Sequence, residues 1–205
     1  MITLYTKGSA SPNIRKIVIM LQEVNLPFTV TRLEKQNNGQ FTDDFLAMNP
    51  NATVPVITDH DTHTTIFESA AILQYLAEKT NKLLPIALHA RGEVLKWLLF
   101  EAANMGPMMG ELFHYMLLES NEVADIHLQR YKDKLKRYCA ILDQQLDGRA
   151  YLGGEYSIAD IALYPWMVIM EVMAETSLGD YPHLQNWANT ISHRPAVLSA
   201  NNLTL

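Results

Sequence analysis

Residues 49 to 69 read NPNATVPVITDHDTHTTIFES, ending in an acid and a hydroxyl, Glu68 and Ser69, just ahead of a helical stripe. Ser69 stands where a helix N-cap is expected, and the orphan N–H groups of a helix N-terminus attract anions. Upstream, Pro55 interrupts a short apolar run. Proline cannot donate to a sheet ladder, so either the strand is an edge there or the Val54-Pro55 bond is cis; in both cases Val54 keeps a free backbone edge. An extended small peptide could pair its main chain with Val54, set a carboxylate on Ser69 and its helix terminus, and bring an amino group to Glu68. Taken singly, each residue fits a plainer reading better, an edge strand with a proline stop and a capping serine. Their order and spacing together favour the peptide site.

The elements that must position this site can be read from periodicity. Val54, Val56 and Ile57 form one strand and Thr64 to Phe67 the next, with DHDTH as the turn. Before them, Ile2 and Leu4 alternate with Thr3 and Tyr5. A helical stripe then runs from Asn13 through Ile14, Ile17, Val18 and Leu21 to Asn25-Leu26-Pro27. Phe28 and Val30 alternate with Thr29 and Thr31. The NNGQF segment opens a short helix carrying Phe41, Phe45 and Leu46 and ending at Asn49-Pro50. Ile72, Leu73 and Leu76 mark a helix from Ser69 to Lys79. The order is βαβαββα, that of the thioredoxin fold.

After residue 80 the character changes. TNKLLPIAL reads as a linker, giving an α/β domain over 1–79, a linker over 80–88 and an all-α domain over 89–205. One helical pattern runs over 89–118 with a break at Met105-Gly106-Pro107. A second covers 122–146, with Leu128, Tyr131, Leu135, Tyr138 and Leu142 as its core stripe. Cys139 lies beside that stripe and reads as core filler. Ser157-Ile158-Ala159-Asp160 has the form of a capping box, with Tyr156 placed to staple against Ile161. After the tail YPHLQNWANTISHRPAV no long extension is expected to roof the site.

Composition excludes several classes. With 205 residues, 48% of them apolar, the chain can bury a substantial core. The net charge of −6 and the mixed KDKLKR segment argue against nucleic acid. No apolar run is long enough for a membrane span, and MITLYTKG lacks the layout of a secretion signal. One cysteine rules out an internal disulfide and a CxxC pair, which fits a cytoplasmic address. His60 and His63 share a turn at HxxH spacing with no third ligand evident, so no metal is expected.

TVPVI followed by FESAAILQYL resembles the glutathione-binding half of the glutathione S-transferase superfamily, in which a cis-proline loop and an acidic-Ser pair hold the tripeptide. The SxAD box at 157–160 and the tail extend the resemblance over nearly the whole chain. It implies glutathione as co-substrate, a homodimer, and Val54, Pro55, Glu68 and Ser69 as glutathione contacts. It also places the sulfur's partner at the start of the first helix, where amides and a hydroxyl lower a thiol's pKa. SPNIRK offers Ser11 first and Asn13 second, with Ser9 nearby and Tyr5 turned into the sheet.

NNGQF with Gln40, together with the SPN motif, resembles the bacterial Nu-class transferases, which bind glutathione disulfide or two glutathiones and reduce disulfides without a cysteine of their own. Asn38 departs from the class, since glycine is commoner there. Arg137 matches a basic residue that would reach the second glutathione; the alternative is a solvated charge. Met105, Met108, Met109, His114 and Trp166 are candidates for the wall of a second-substrate pocket, although a Met-rich helix is more often core. The implied function is thiol activation for conjugation to electrophiles or for disulfide reduction. The alternative is a non-catalytic binding module of the same fold. Retention of Ser11, Gln40, Pro55, Glu68 and Ser69 together favours the enzyme.

Overall fold

β1 (Ile2–Thr6) lies inside a four-stranded sheet of order β2-β1-β3-β4, parallel to β2 (Phe28–Arg32) and antiparallel to β3 (Val56–Asp59), which in turn pairs antiparallel with β4 (Thr64–Phe67). This is a computed structural model, and it describes all residues except 9–10, 35–38, 118–124, 175–176 and 204–205. Ile2, Leu4 and Ile57 share one sheet face by register and are fully buried. Against them pack Ile14, Ile17, Val18 and Leu21 of α1 (Pro12–Glu23) and Ile72, Leu73 and Leu76 of α3 (Ser69–Thr80), all likewise buried. Each such side chain contributes about 1.5–3 kcal/mol. On the opposite face Tyr5 meets Phe45 of α2 (Asp43–Met48), and Thr29, Thr3, Thr58 and Thr65 align across the four strands. The Thr3–Thr29 and Thr58–Thr65 hydroxyls lie 3.3 and 3.2 Å apart.

Two boundaries differ from the sequence reading. β3 starts at Val56, so Val54 and Pro55 precede the strand, and β3 is internal rather than an edge. Ser69 is the first residue of α3, and Glu68 occupies the N-cap position without a side-chain capping bond. Thr42 is a genuine cap, accepting from the Phe45 N–H at 3.3 Å.

The chain divides into two compact units, Met1–Leu84 with Arg194–Leu205, and Pro85–His193. The chain from Arg194 onward was expected in the helical half. Instead α9 (Pro195–Asn202) packs on α1, tied by Arg194, whose Nε and Nη2 donate to Glu23 at 2.6 and 3.0 Å, and by an Arg15–Asn201 hydrogen bond.

The second unit is helical. α4 (Leu88–Phe100) runs through one π-helical stretch, Glu101–Met105, into α5 (Gly106–Leu117), so the irregularity anticipated at residues 105–107 falls just before Gly106 and Pro107. Trp166 Nε1 donates to the buried Glu101 carboxylate at 2.7 Å beside this stretch. α6 (Asp125–Leu146) buries Leu135, Cys139 and Leu142. Burial pushes the Cys139 thiol up to about 12, which fits its reading as filler. α7 (Ile158–Ala174) starts directly after Ser157, and α8 (Pro182–Ser192) supplies Trp187. Asp160 Oδ2 accepts from the Ser157 N–H and hydroxyl, both at 3.0 Å, while Oδ1 accepts from the Leu152 N–H at 3.0 Å and Trp187 Nε1 at 2.8 Å. The Tyr156 ring rests against Tyr151 at 5.4 Å.

Among the described residues no helix is long and apolar enough to cross a membrane.

Candidate functional site

Strand register sets the site. Val56 opposite Phe67 is the last pair of the ladder, so Val54-Pro55, just before β3, and Glu68-Ser69, just after β4, lie at the same end of the sheet. β1 ends there too, since Tyr5 is opposite Val56, and leads into the N-terminus of α1. The Val54-Pro55 bond is cis. Pro55 is buried and Val54 half-buried.

Asn49 holds the loop that delivers them, a role the sequence reading missed. Its Nδ2 donates to the Thr53 carbonyl at 2.8 Å and Oγ1 at 3.1 Å, and its Oδ1 accepts from the Asn51 N–H at 3.0 Å. It has no exposed surface. In the sequence it looked like punctuation before Pro50, and nothing local separates a turn asparagine from a buried clamp.

Glu68 is exposed at φ +68°, ψ 115°, a conformation that L residues rarely adopt. Such strain costs about 1–3 kcal/mol and persists where the surroundings fix it, commonly at ligand sites. The first N–H groups of α3 follow directly after Glu68, and its side chain does not cap them. Ser69, half-buried, contributes one of those N–H groups.

The N-terminus of α1 faces this one through side chains. Ser69 Oγ donates to Asn13 Oδ1 at 3.4 Å and accepts from Lys16 Nζ at 3.3 Å. Lys16 has no exposed surface. The sequence reading missed it as well. It lies between Ile14 and Ile17, off the stripe assigned to the core, where a lysine is ordinarily solvated. Ser11 occupies the N-cap position, but its side chain makes no capping bond; its carbonyl accepts from the Ile14 and Arg15 N–H groups at 3.0 and 2.9 Å. Pro12 occupies the first helical turn, where its missing N–H costs nothing. Arg32 Nη2 donates to the Gly8 carbonyl at 3.1 Å; Gly8 has φ +69°, and a Cβ there would sit 1.8 Å from Arg32 Nε. Ser9 lies outside the described residues.

Gln40 is half-buried in a 3-10 turn, Gly39–Phe41. The turn requires Gly39, because a Cβ would meet the Glu34 carbonyl oxygen at 2.7 Å. Asn38 lies outside the described residues.

The residues expected on a second-substrate wall divide. Met105 and Met109 have no exposed surface and Trp166 almost none. A ligand cannot touch a side chain that solvent cannot reach, so these three belong to the helical core. Met108 is half-buried and His114 exposed on α5, and Arg137 is exposed on α6. His60 Nε2 lies 2.8 Å from Thr3 Oγ1, and no metal-ligand cluster occurs among the described residues.

A thioredoxin-like sheet with a cis-proline loop and two facing helix N-termini, followed by a helical unit, defines the class of a glutathione transferase fold. The N-terminal domain family of glutathione S-transferases matches residues 10–79, and the C-terminal domain family matches 105–195. The chain is 36% identical to the disulfide-bond oxidoreductase YfcG of Escherichia coli, over 96% of this chain and 92% of that protein. A glutathione transferase family member from Pseudomonas fluorescens, solved with two glutathiones bound, aligns at a TM-score of 0.88 and 34% identity over 97% of this chain and 91% of that one. A glutathione transferase from Pseudomonas putida, solved with one glutathione disulfide per subunit, gives 0.88 and 31% over 98% and 91%. The chain belongs to the glutathione S-transferase family.

Proposed function

We propose that the protein binds glutathione and ionises its thiol, using the thiolate to attack an electrophile, a detoxification chemistry, or to exchange with a disulfide. The observation that carries this is the Glu68-Ser69 head of α3 facing the α1 N-terminus across the Ser69–Asn13 hydrogen bond. Val54 offers its backbone to the cysteinyl residue, the α3 amides take the γ-glutamyl carboxylate, and Glu68 takes the amino group. Gln40 is a further glutathione contact in this reading. The sulfur then lies at Ser11 and Asn13, where helix amides favour the thiolate.

In disulfide exchange the bound thiolate attacks one sulfur, a new S–S bond forms, and the other sulfur leaves as thiolate. A second glutathione thiolate resolves the mixed disulfide to glutathione disulfide. No protein cysteine is needed, and Cys139 is buried and protonated. The relatives that bind two glutathiones or glutathione disulfide favour this Nu-class-like branch.

We further infer a homodimer. Leu99, Phe113 and Met116 are 59%, 54% and 50% exposed on α4 and α5, and pairing with a second copy would take that apolar area out of water. Light scattering at micromolar concentration should give twice the chain mass; a monomer removes this part. A cytoplasmic address follows from the same chemistry, which requires a reduced glutathione pool.

Calorimetry with glutathione and with glutathione disulfide, followed by assays with a chloroarene and with a small dialkyl disulfide, tests the function. Binding without turnover of either substrate would favour a binding module.

A further inference from the structure

Lys16, Ser69 and Asn13 form a chain of hydrogen bonds with one direction: Nζ–H of Lys16 to Oγ of Ser69 at 3.3 Å, then O–H of Ser69 to Oδ1 of Asn13 at 3.4 Å. We propose that Lys16 is a positioning residue for the thiol step, fixing this direction so that Asn13 presents its amide nitrogen, rather than its carbonyl, to the glutathione sulfur. The proposal rests on the reading that glutathione binds with its sulfur at the α1 N-terminus.

The reasoning is one of donors and acceptors. An ammonium only donates, and a serine hydroxyl has one proton. With Lys16 donating into Ser69 Oγ, that proton turns to the far side, where Asn13 lies. Asn13 must then offer its oxygen to Ser69, which leaves its two N–H donors pointing away from Ser69. Without Lys16 the hydroxyl is free to reverse and accept from the Asn13 amide. Oδ1 would then face the sulfur, and a carbonyl dipole disfavours a thiolate. Lys16 has no exposed surface, so bulk water cannot take its place behind Ser69. Both bonds are long. Hydrogen bonds of this kind commonly tighten in the substrate complex, where charge on the sulfur pulls on the far end of the chain.

The test uses the full-length protein, glutathione, and S-methylglutathione, whose sulfur cannot ionise. Ultraviolet thiolate absorbance of the glutathione complex is titrated against pH, and calorimetry gives S-methylglutathione affinity. Lys16→Met should move the titration midpoint up by about one pH unit, which is about tenfold less thiolate at a pH below both midpoints. Its affinity for S-methylglutathione should change by less than about twofold, because the ligand's own contacts are untouched. Ser69→Ala cuts the chain at its centre and should give the same upward shift, and Lys16→Met combined with Ser69→Ala should shift no further than either alone. Asn13→Asp keeps the acceptor and removes the donor, so it too should raise the midpoint. If Lys16→Met does not fold, Ser69→Ala and Asn13→Asp decide. An unmoved midpoint in Ser69→Ala, or additive shifts in the double variant, overturns the proposal. A wild-type protein that binds neither ligand fails at the glutathione site itself, and takes the proposal with it.

Discussion

The ammonium of Lys79 lies 2.7 Å from Oδ2 of Asp59, a carboxylate with no exposed side-chain surface at the end of β3. The Tyr75 hydroxyl donates to the same oxygen at 2.6 Å, and the Asp61 N–H to Oδ1 at 2.9 Å. Burial alone would raise the Asp59 pKa, but these donors outweigh it and bring it from 3.8 down to about 2. A lowered folded-state pKa stabilises above the unfolded value and loses that stabilisation as the carboxylate protonates. The first unit should therefore lose about 2 kcal/mol as pH falls from about 4 to about 2. Urea unfolding of the wild type across that range should show the loss. Asp59→Asn, already destabilised at neutral pH, should show a drop smaller by that amount.

Asp160 collects four donors, two from Ser157 and one each from Leu152 and Trp187. As a helix cap alone, Asp160→Ala would cost about 0.5–2 kcal/mol. The substitution also strands the Leu152 and Ser157 N–H groups and the Trp187 indole inside the unit, so about 3–5 kcal/mol is expected. The midpoint of thermal unfolding, followed by tryptophan fluorescence, should fall by about 6–20 °C. A fall of only a degree or two would mean that water reaches those donors.

Glu68 sets binding against stability. Glu68→Gly removes the cost of φ +68° and should stabilise the first unit by about 1 kcal/mol, while abolishing the contact to the ligand's amino group. Glu68→Gln keeps the strain and should weaken glutathione binding by about 1–2 kcal/mol, since a charge-assisted bond becomes a neutral one. A glutathione analogue without the amino group should bind the wild type and Glu68→Gln equally. Calorimetry with both ligands checks each point.

What the sequence disclosed follows from what is periodic. The strands at Ile2, Phe28 and Thr64 and the helices after Ser11 and Glu68 lie where alternation and the 3.6-residue stripe put them, because side chains facing one core must repeat with the backbone. The site's outline was legible for a related reason: Pro55, Glu68 and Ser69 stand where elements end. Interior polar contacts are not periodic. Lys16 and Asn49 are defined by partners 53 and 4 residues away, and no window of sequence reports that one side chain has met the other. The tail's allegiance to α1 has the same origin, since the Arg194–Glu23 pair spans 171 residues. Met105 and Met109 show the converse, where a suggestive composition was simply core.

Ser11 and Asn13 both lie at the head of α1, and the geometry predicts different signatures for them as the sulfur's partner. Ser11 makes no side-chain capping bond, so Ser11→Ala should leave α1 intact. If its hydroxyl donates to the sulfur, the variant should lower kcat well beyond any loss of glutathione affinity, because the bond strengthens as charge develops on the sulfur. The thiolate titration should move up, each pH unit corresponding to about 1.36 kcal/mol of lost preference for the thiolate. Asn13→Ala should move it in the same direction, and, unlike the Ser11 effect, that shift should vanish when measured in a Ser69→Ala background. A midpoint unmoved by both substitutions would assign the activation to the backbone amides of α1. Ser11 would then serve through its carbonyl, which accepts from the Ile14 and Arg15 N–H groups.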